Sequence, residues 1–163
     1  MKPNYERIIY NLAKQHKITI KKWRSTDTGE AYIRLRSIEI PDPKSINRFL
    51  TGLHEVGHVV KDKDHNPLWK SEHIAYKYAF DYCDEHDIKY TELNVKRASN
   101  YVKMCVAKGI RKRLNLNKVT DEALEFAKIN RDEWKDYLNK GFKPFVKCQK
   151  GNWTDVVVIW TKQ

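Results

Sequence analysis

Cysteine is scarce in this chain of 163 residues: Cys83, Cys105 and Cys148 are widely spaced and odd in number. No C-x-x-C pair occurs, which argues against both a disulfide framework and a thiolate zinc site. The three thiols are expected to be reduced and buried. Long apolar runs are missing too. The longest, residues 156–160, is strand-sized and far short of a membrane span. The opening residues Met1-Lys2-Pro3-Asn4-Tyr5-Glu6-Arg7 hold no apolar stretch and no small-residue cleavage site. A secretory signal is therefore not expected, and a cytoplasmic location without a membrane partner is. With no repeat, low-complexity linker or break in composition, residues 1–163 read as one domain.

Acidic residues are in short supply as well. Against 32 Lys and Arg stand 21 Asp and Glu, a net charge of +11. Such a chain is drawn to polyanions at low salt. The excess is uneven: Lys96, Arg97, Lys103, Lys108, Arg111, Lys112 and Arg113 fall in a stretch whose one acid is Glu92. The run offers a nucleic acid a basic helix over residues 91–114. The plainer reading, and the preferred one, is a solvated helix face.

What is present is an α+β pattern. Ile8, Ile9, Leu12 and Ala13 give helical spacing over residues 5–16. Residues 18–23 and 31–36 alternate as strands and flank a turn at 25–30, which predicts a hairpin. Ile38-Glu39-Ile40 extends the second strand or starts another, and Pro41-Asp42-Pro43 ends the sheet. A helix over 45–60 follows, then a polar loop at 61–67. Further helices are expected over 68–86, 91–114, 120–129 and 132–139, with Lys140-Gly141 closing the last. Leu93 is among the apolar positions expected to face inward on the 91–114 helix. The tail, residues 142–162, reads as extended. The expected fold is a small, mostly antiparallel sheet packed on helices, in one compact domain.

The most specific feature is His54-Glu55-Val56-Gly57-His58, an H-E-x-x-H inside an apolar helix. Residues four apart share a helix face, so both imidazoles can reach one ion. Glu55 is offset by about 100° of helical turn. Its carboxylate then stands beside the ion rather than on it, where it can take a proton from water. A catalytic zinc site usually needs a third protein ligand, and His65, Glu72, His73, Asp81, Asp84 and His86 are the downstream candidates. Glu72 is preferred. It comes fourteen residues after His58, enough for a helix end, a loop and a return helix. Ala75 and Ala79, one and two turns on, allow close approach. His65, seven residues after His58, is the rival. His73 is expected to be an exposed neighbour of Glu72, and His86 to cap a helix C-terminus. Tyr76 either leans into the cleft as a proton or oxyanion donor or simply packs.

Leu53 to Val60, followed by Ser71-Glu72-His73-Ile74-Ala75-Tyr76-Lys77-Tyr78-Ala79-Phe80, resembles the ImmA/IrrE family of metallopeptidases. Those proteins carry H-E-x-x-H with a small residue in fourth place. A glutamate comes later, with alanine three residues on, an aromatic three further, and a second alanine. Glu72, Ala75, Tyr78 and Ala79 fill that pattern. The resemblance covers roughly the middle third of the chain. It implies a zincin-like domain, zinc on His54, His58 and Glu72, and Glu55 as general base. It further implies a protein substrate, often a DNA-binding repressor, and a home on phages or other mobile elements. The histidine-rich turn usual after the motif is replaced by Lys61-Asp62-Lys63-Asp64-His65. With His65 as ligand the set becomes three histidines, closer to SprT-like proteases that act on DNA-linked proteins.

The leading expectation is a zinc metallopeptidase whose substrate lies extended along an edge strand at 31–36, with Arg34 and Arg36 favouring acidic sequences. Its rivals are a nucleic-acid-associated protein using the basic helix, and an inhibitor-type binding protein on a peptidase scaffold.

Overall fold

In the computed structural model, which describes residues 3–61, 66–149 and 152–162, the fold is mixed α+β. The described residues form six α-helices and two small sheets. The chain divides into two compact units, Met1–His65 with Ile74–Tyr90, and Asn66–His73 with Thr91–Gln163. No helix among the described residues is long and apolar enough to cross a membrane.

The first unit opens with α1 (Tyr5–Gln15), whose N-terminus is capped by the Asn4 side chain accepting from the Arg7 amide. Ile9, Leu12 and Ala13 form its buried stripe. Three strands follow: β1 (Thr19–Arg24), β2 (Glu30–Tyr32) and β3 (Ser37–Pro41). Their order is β1-β3-β2, with β1 parallel and β2 antiparallel to β3. The expected hairpin between residues 18–23 and 31–36 is therefore not formed. Residues 33–35 turn as a single 3-10 helix, and Arg36 takes a left-handed backbone with φ of 46°. That reversal starts a separate strand, and Ile38 and Ile40, both fully buried, take the middle of the sheet. Leu35, an apolar position of the alternating 31–36 segment, is exposed. Arg36 turns its guanidinium to the His16 carbonyl, so the pair Arg34 and Arg36 does not line a strand edge as expected. The small sheet is mixed rather than mostly antiparallel.

One ion network binds the three strands. Arg24 of β1 donates to Glu39 of β3 at 2.9 Å and to Glu30 of β2 at 2.7 Å, while the Tyr32 hydroxyl donates to Glu39. The guanidinium holds the Glu39 carboxyl below the usual carboxylate range. Over this sheet lies α2 (Ile46–Lys61), in contact with β2, β3 and α1. From Phe49 to Val59 every residue of α2 but Thr51 is buried, so this helix is covered on nearly all sides. The body of α3 (Leu68–Glu85) completes the unit, with Ala75, Ala79 and Cys83 buried. After its end, the His86 ring meets the Tyr82 carbonyl at 2.9 Å, the C-terminal role expected of it.

The second unit is built on α4 (Glu92–Arg111). Thr91 and Asn94 satisfy each other's amides in a reciprocal cap. Ala98, Val102, Cys105, Val106 and Ile110 are buried, whereas Leu93, expected inward, is exposed. The tail forms an antiparallel ribbon, β4 (Phe142–Gln149) with β5 (Asn152–Lys162), packed on α4. Asn100 donates to the Trp153 carbonyl at 2.8 Å and ties helix to ribbon. Two short helices, α5 (Asp121–Phe126) and α6 (Arg131–Asn139), are capped by Thr120 and Asn130. Arg131 donates to the Leu116 and Val119 carbonyls and fastens the linking segment. Gly141, at φ of 82°, turns the chain out of α6 into β4.

Candidate metal centre

The centre starts from α2. Leu53, Val56 and Val59 are apolar and buried, and they carry His54, Glu55 and His58 out of water with them. Burying polar groups is costly unless they find partners or an ion. His54 and His58, four apart, bring their Nε2 atoms to 3.0 Å, with ring centroids 4.5 Å apart and planes at 86°. Two imidazole nitrogens aimed at one place suit a single cation.

Gly57 governs how near α3 can come. A Cβ on Gly57 would stand 3.0 Å from the Ala75 carbonyl oxygen and 3.1 Å from Ala75 Cα and Tyr78 Cβ. Glycine facing alanine lets the helix backbones almost touch. Glu72 lies one turn before Ala75 on the same continuous helix. His54, His58 and Glu72 each offer a ligand atom, all within 4.8 Å of one another, and all three residues are buried. Two imidazoles and a carboxylate form a donor set suited to a borderline cation such as zinc. Three of the expected site residues are thus brought together.

Glu55, the fourth, is buried beside them and meets the loop before β2. A Cβ on Gly29 would lie 2.7 Å from Glu55 Oε1. Loop 25–29 is held there by the same face of α2. Arg48 donates to Asp27 Oδ1 at 2.6 Å and to the Ser25 carbonyl at 2.9 Å, and the Thr51 hydroxyl reaches the Asp27 carbonyl. Positions 48, 51 and 55 recur at helical spacing, so one stripe anchors the loop and presents the carboxylate. Tyr76 sets its ring on His54, centroids 4.1 Å apart, and is half-buried.

Other candidates fall elsewhere. His73 is not exposed, as expected from its position, but buried, with its ring 5.2 Å from that of Phe126. Phe126, at the end of α5, packs against this second turn of α3, which the sequence pattern of α3 alone does not reveal. His65 lies outside the described residues. Asp81, Asp84 and His86 are exposed, and Asp84 accepts from the Tyr90 hydroxyl at 2.9 Å. Cys105 is not one of the three clustered ligand residues; burial first, then the Glu72 charge, pushes its thiol up to about 12. Gly29, Arg48 and Thr51 were not legible as site residues. The signal for Gly57 was present, since glycine inside a helix costs about 1 kcal/mol against alanine and implies a packing reason.

Three basic residues of the 91–114 run are engaged within the unit. Lys96 pairs with Asp155, Lys103 is half-buried, and Arg111 lies over the Phe145 ring at 4.3 Å. Desolvation, then the Lys128 charge, holds the Lys103 amine below its ordinary range.

No protein-family model, curated protein or solved structure matches the chain.

Proposed function

We propose that this protein is a zinc-dependent peptidase of the ImmA/IrrE kind, with a zincin-like arrangement in which His54, His58 and Glu72 hold the metal and Glu55 is the general base. The observation that carries the reading is the convergence of ligand atoms from three buried residues within 4.8 Å, with a second buried carboxylate, that of Glu55, next to His54 in the chain. Zinc in that set supplies a Lewis acid that eases deprotonation of water and polarises a carbonyl. Glu55 accepts the proton of the attacking water and returns it to the leaving amine nitrogen. The Gly29 contact and the stripe of Arg48 and Thr51 keep that carboxylate in place. Tyr76 fixes the plane of the His54 ring by packing on it.

A protein substrate has a natural seat. β2 is an edge strand, and it begins one residue after Gly29, next to the base. An extended peptide pairing with β2 would bring its carbonyls past Glu55. The seat is Glu30–Tyr32, shorter than the 31–36 strand expected from sequence. A DNA-binding repressor as substrate rests on the family resemblance alone.

Metal analysis of the purified chain tests the reading. About one zinc per chain in the parent and none in Glu72→Ala is expected. A parent that takes up no zinc would end it.

A further inference from the structure

Charge is divided unequally between the units. The second carries 17 Lys and Arg against 9 Asp and Glu, +8 of the chain's +11. Part of that charge lines a cleft of about 520 Å³ between the end of α4, the 114–117 segment, α6 and the start of β4. Arg113, Lys135 and Lys143 line it, with the amides of Asn115, Asn117 and Asn139, and no acidic side chain does. None of the three cations forms an ion pair among the described residues. Like charges gathered without counter-charges repel one another, and an anion relieves this.

Lys143 also begins a second feature. Along β4, Lys143, Phe145 and Lys147 alternate onto the outer face of the ribbon, opposite Thr161, Ile159 and Val157 of β5. Phe145 is 38% exposed, and Val157 and Ile159 are similar, so a large ring and two branched side chains stand in water. Cations frame the ring: the Arg111 guanidinium at 4.3 Å and the Lys147 amine at 5.5 Å from its centroid. A ring among cations, continuous with a basic, amide-rich cleft, matches a ligand that alternates flat bases with phosphates.

We propose that the outer face of the β4–β5 ribbon and the adjoining cleft form a binding site for single-stranded nucleic acid. Phosphates meet Lys143, Lys147, Arg113 and Lys135. A base stacks against Phe145 or on the guanidinium over it, as on other single-strand platforms. The asparagines offer donors and acceptors to base edges, which a single strand leaves open and a duplex pairs inside. The site does not depend on the metal centre and stands whether or not the chain is a peptidase.

Fluorescence anisotropy of a short labelled oligothymidylate with the full chain tests this. Binding is expected at low salt, with a linear fall of log K against log salt. The triple variant Arg113→Ala/Lys135→Ala/Lys143→Ala should flatten that slope by about 2, at roughly 0.7 per phosphate. Phe145→Ala should weaken binding about tenfold, and Phe145→Tyr should keep it. These side chains are on the surface, and unchanged far-ultraviolet dichroism confirms folded variants. Reversing Lys14, Lys17 and Lys21 in the first unit controls for net charge and should cost much less than the triple variant. Three results would each overturn the proposal: no binding at low salt, an equal loss from the control reversal, or heparin binding as tightly while Phe145→Ala leaves the oligothymidylate unaffected. The last would assign the face to a polyanion without bases or to an acidic protein.

Discussion

Gly29 and Glu55 are in such close contact that a methyl group on the glycine would stand 2.5 Å from Glu55 Cγ and 2.9 Å from its Cδ. Neither the loop nor the carboxylate can withdraw freely, because Arg48 and Thr51 anchor the loop and α2 is buried around Glu55. Gly29→Ala is expected to cost about 1–3 kcal/mol by overpacking. In a Glu55→Ala background most of that cost should vanish, since the atoms it strikes are gone. Urea unfolding of the four chains of this cycle measures the coupling, and simple additivity would mean that the two residues do not meet.

Glu55→Gln keeps the shape of the side chain and removes its basicity. Zinc content should be unchanged, while peptide hydrolysis falls by about 10²–10⁴. Hydrolysis at the parental rate with glutamine in place would assign the proton transfer to another group.

Glu72 and His73 are adjacent and both buried, yet their surroundings differ: Glu72 joins the His54 and His58 group, and His73 meets the Phe126 ring. Glu72→Ala should lower zinc affinity by more than the about 10–100-fold typical of a residue that only supports a ligand. His73→Ala should leave zinc bound and cost about 2 kcal/mol of stability through the lost contact with Phe126. Metal titration beside thermal melting of both variants checks the division. Loss of zinc in His73→Ala alone would reverse it.

Two features of the site were legible because they are local. The i, i+4 histidines and the glutamate between them follow from helical geometry, and the apolar flanks placed them on a buried helix. Glu72 was legible because helix and loop lengths set the return distance. The β1-β3-β2 order was not legible. It depends on Arg36 adopting a left-handed backbone, and on Ile38 and Ile40 winning the middle of the sheet over the equally alternating 31–35 segment. The burial of His73 and the role of Gly29 are likewise contacts between distant segments, which periodicity along one element does not register.

Buried thiols set an alkaline limit. Burial pushes Cys83 and Cys105 up to about 12 from an ordinary 9.0. The folded chain therefore keeps protons that the unfolded chain releases above pH 9. Their contribution is complete below that value and declines as pH rises toward 12, by on the order of 1.4 kcal/mol per pH unit for each thiol. Urea midpoints from about pH 8 to about pH 11 should fall steeply in the parent and more gently in Cys83→Ala/Cys105→Ala. Equal slopes in the two chains would remove the thiols from the account.

The near-complete burial of α2 has an evolutionary corollary. The segment that carries His54, Glu55 and His58 also supplies Phe49, Leu53 and Val56, among the largest wholly enclosed side chains. A lineage could not dismantle this polar group one residue at a time, because each vacated position would leave a hole or a stranded charge in the unit. Intact ligands in a distant descendant would then testify to architecture as much as to turnover.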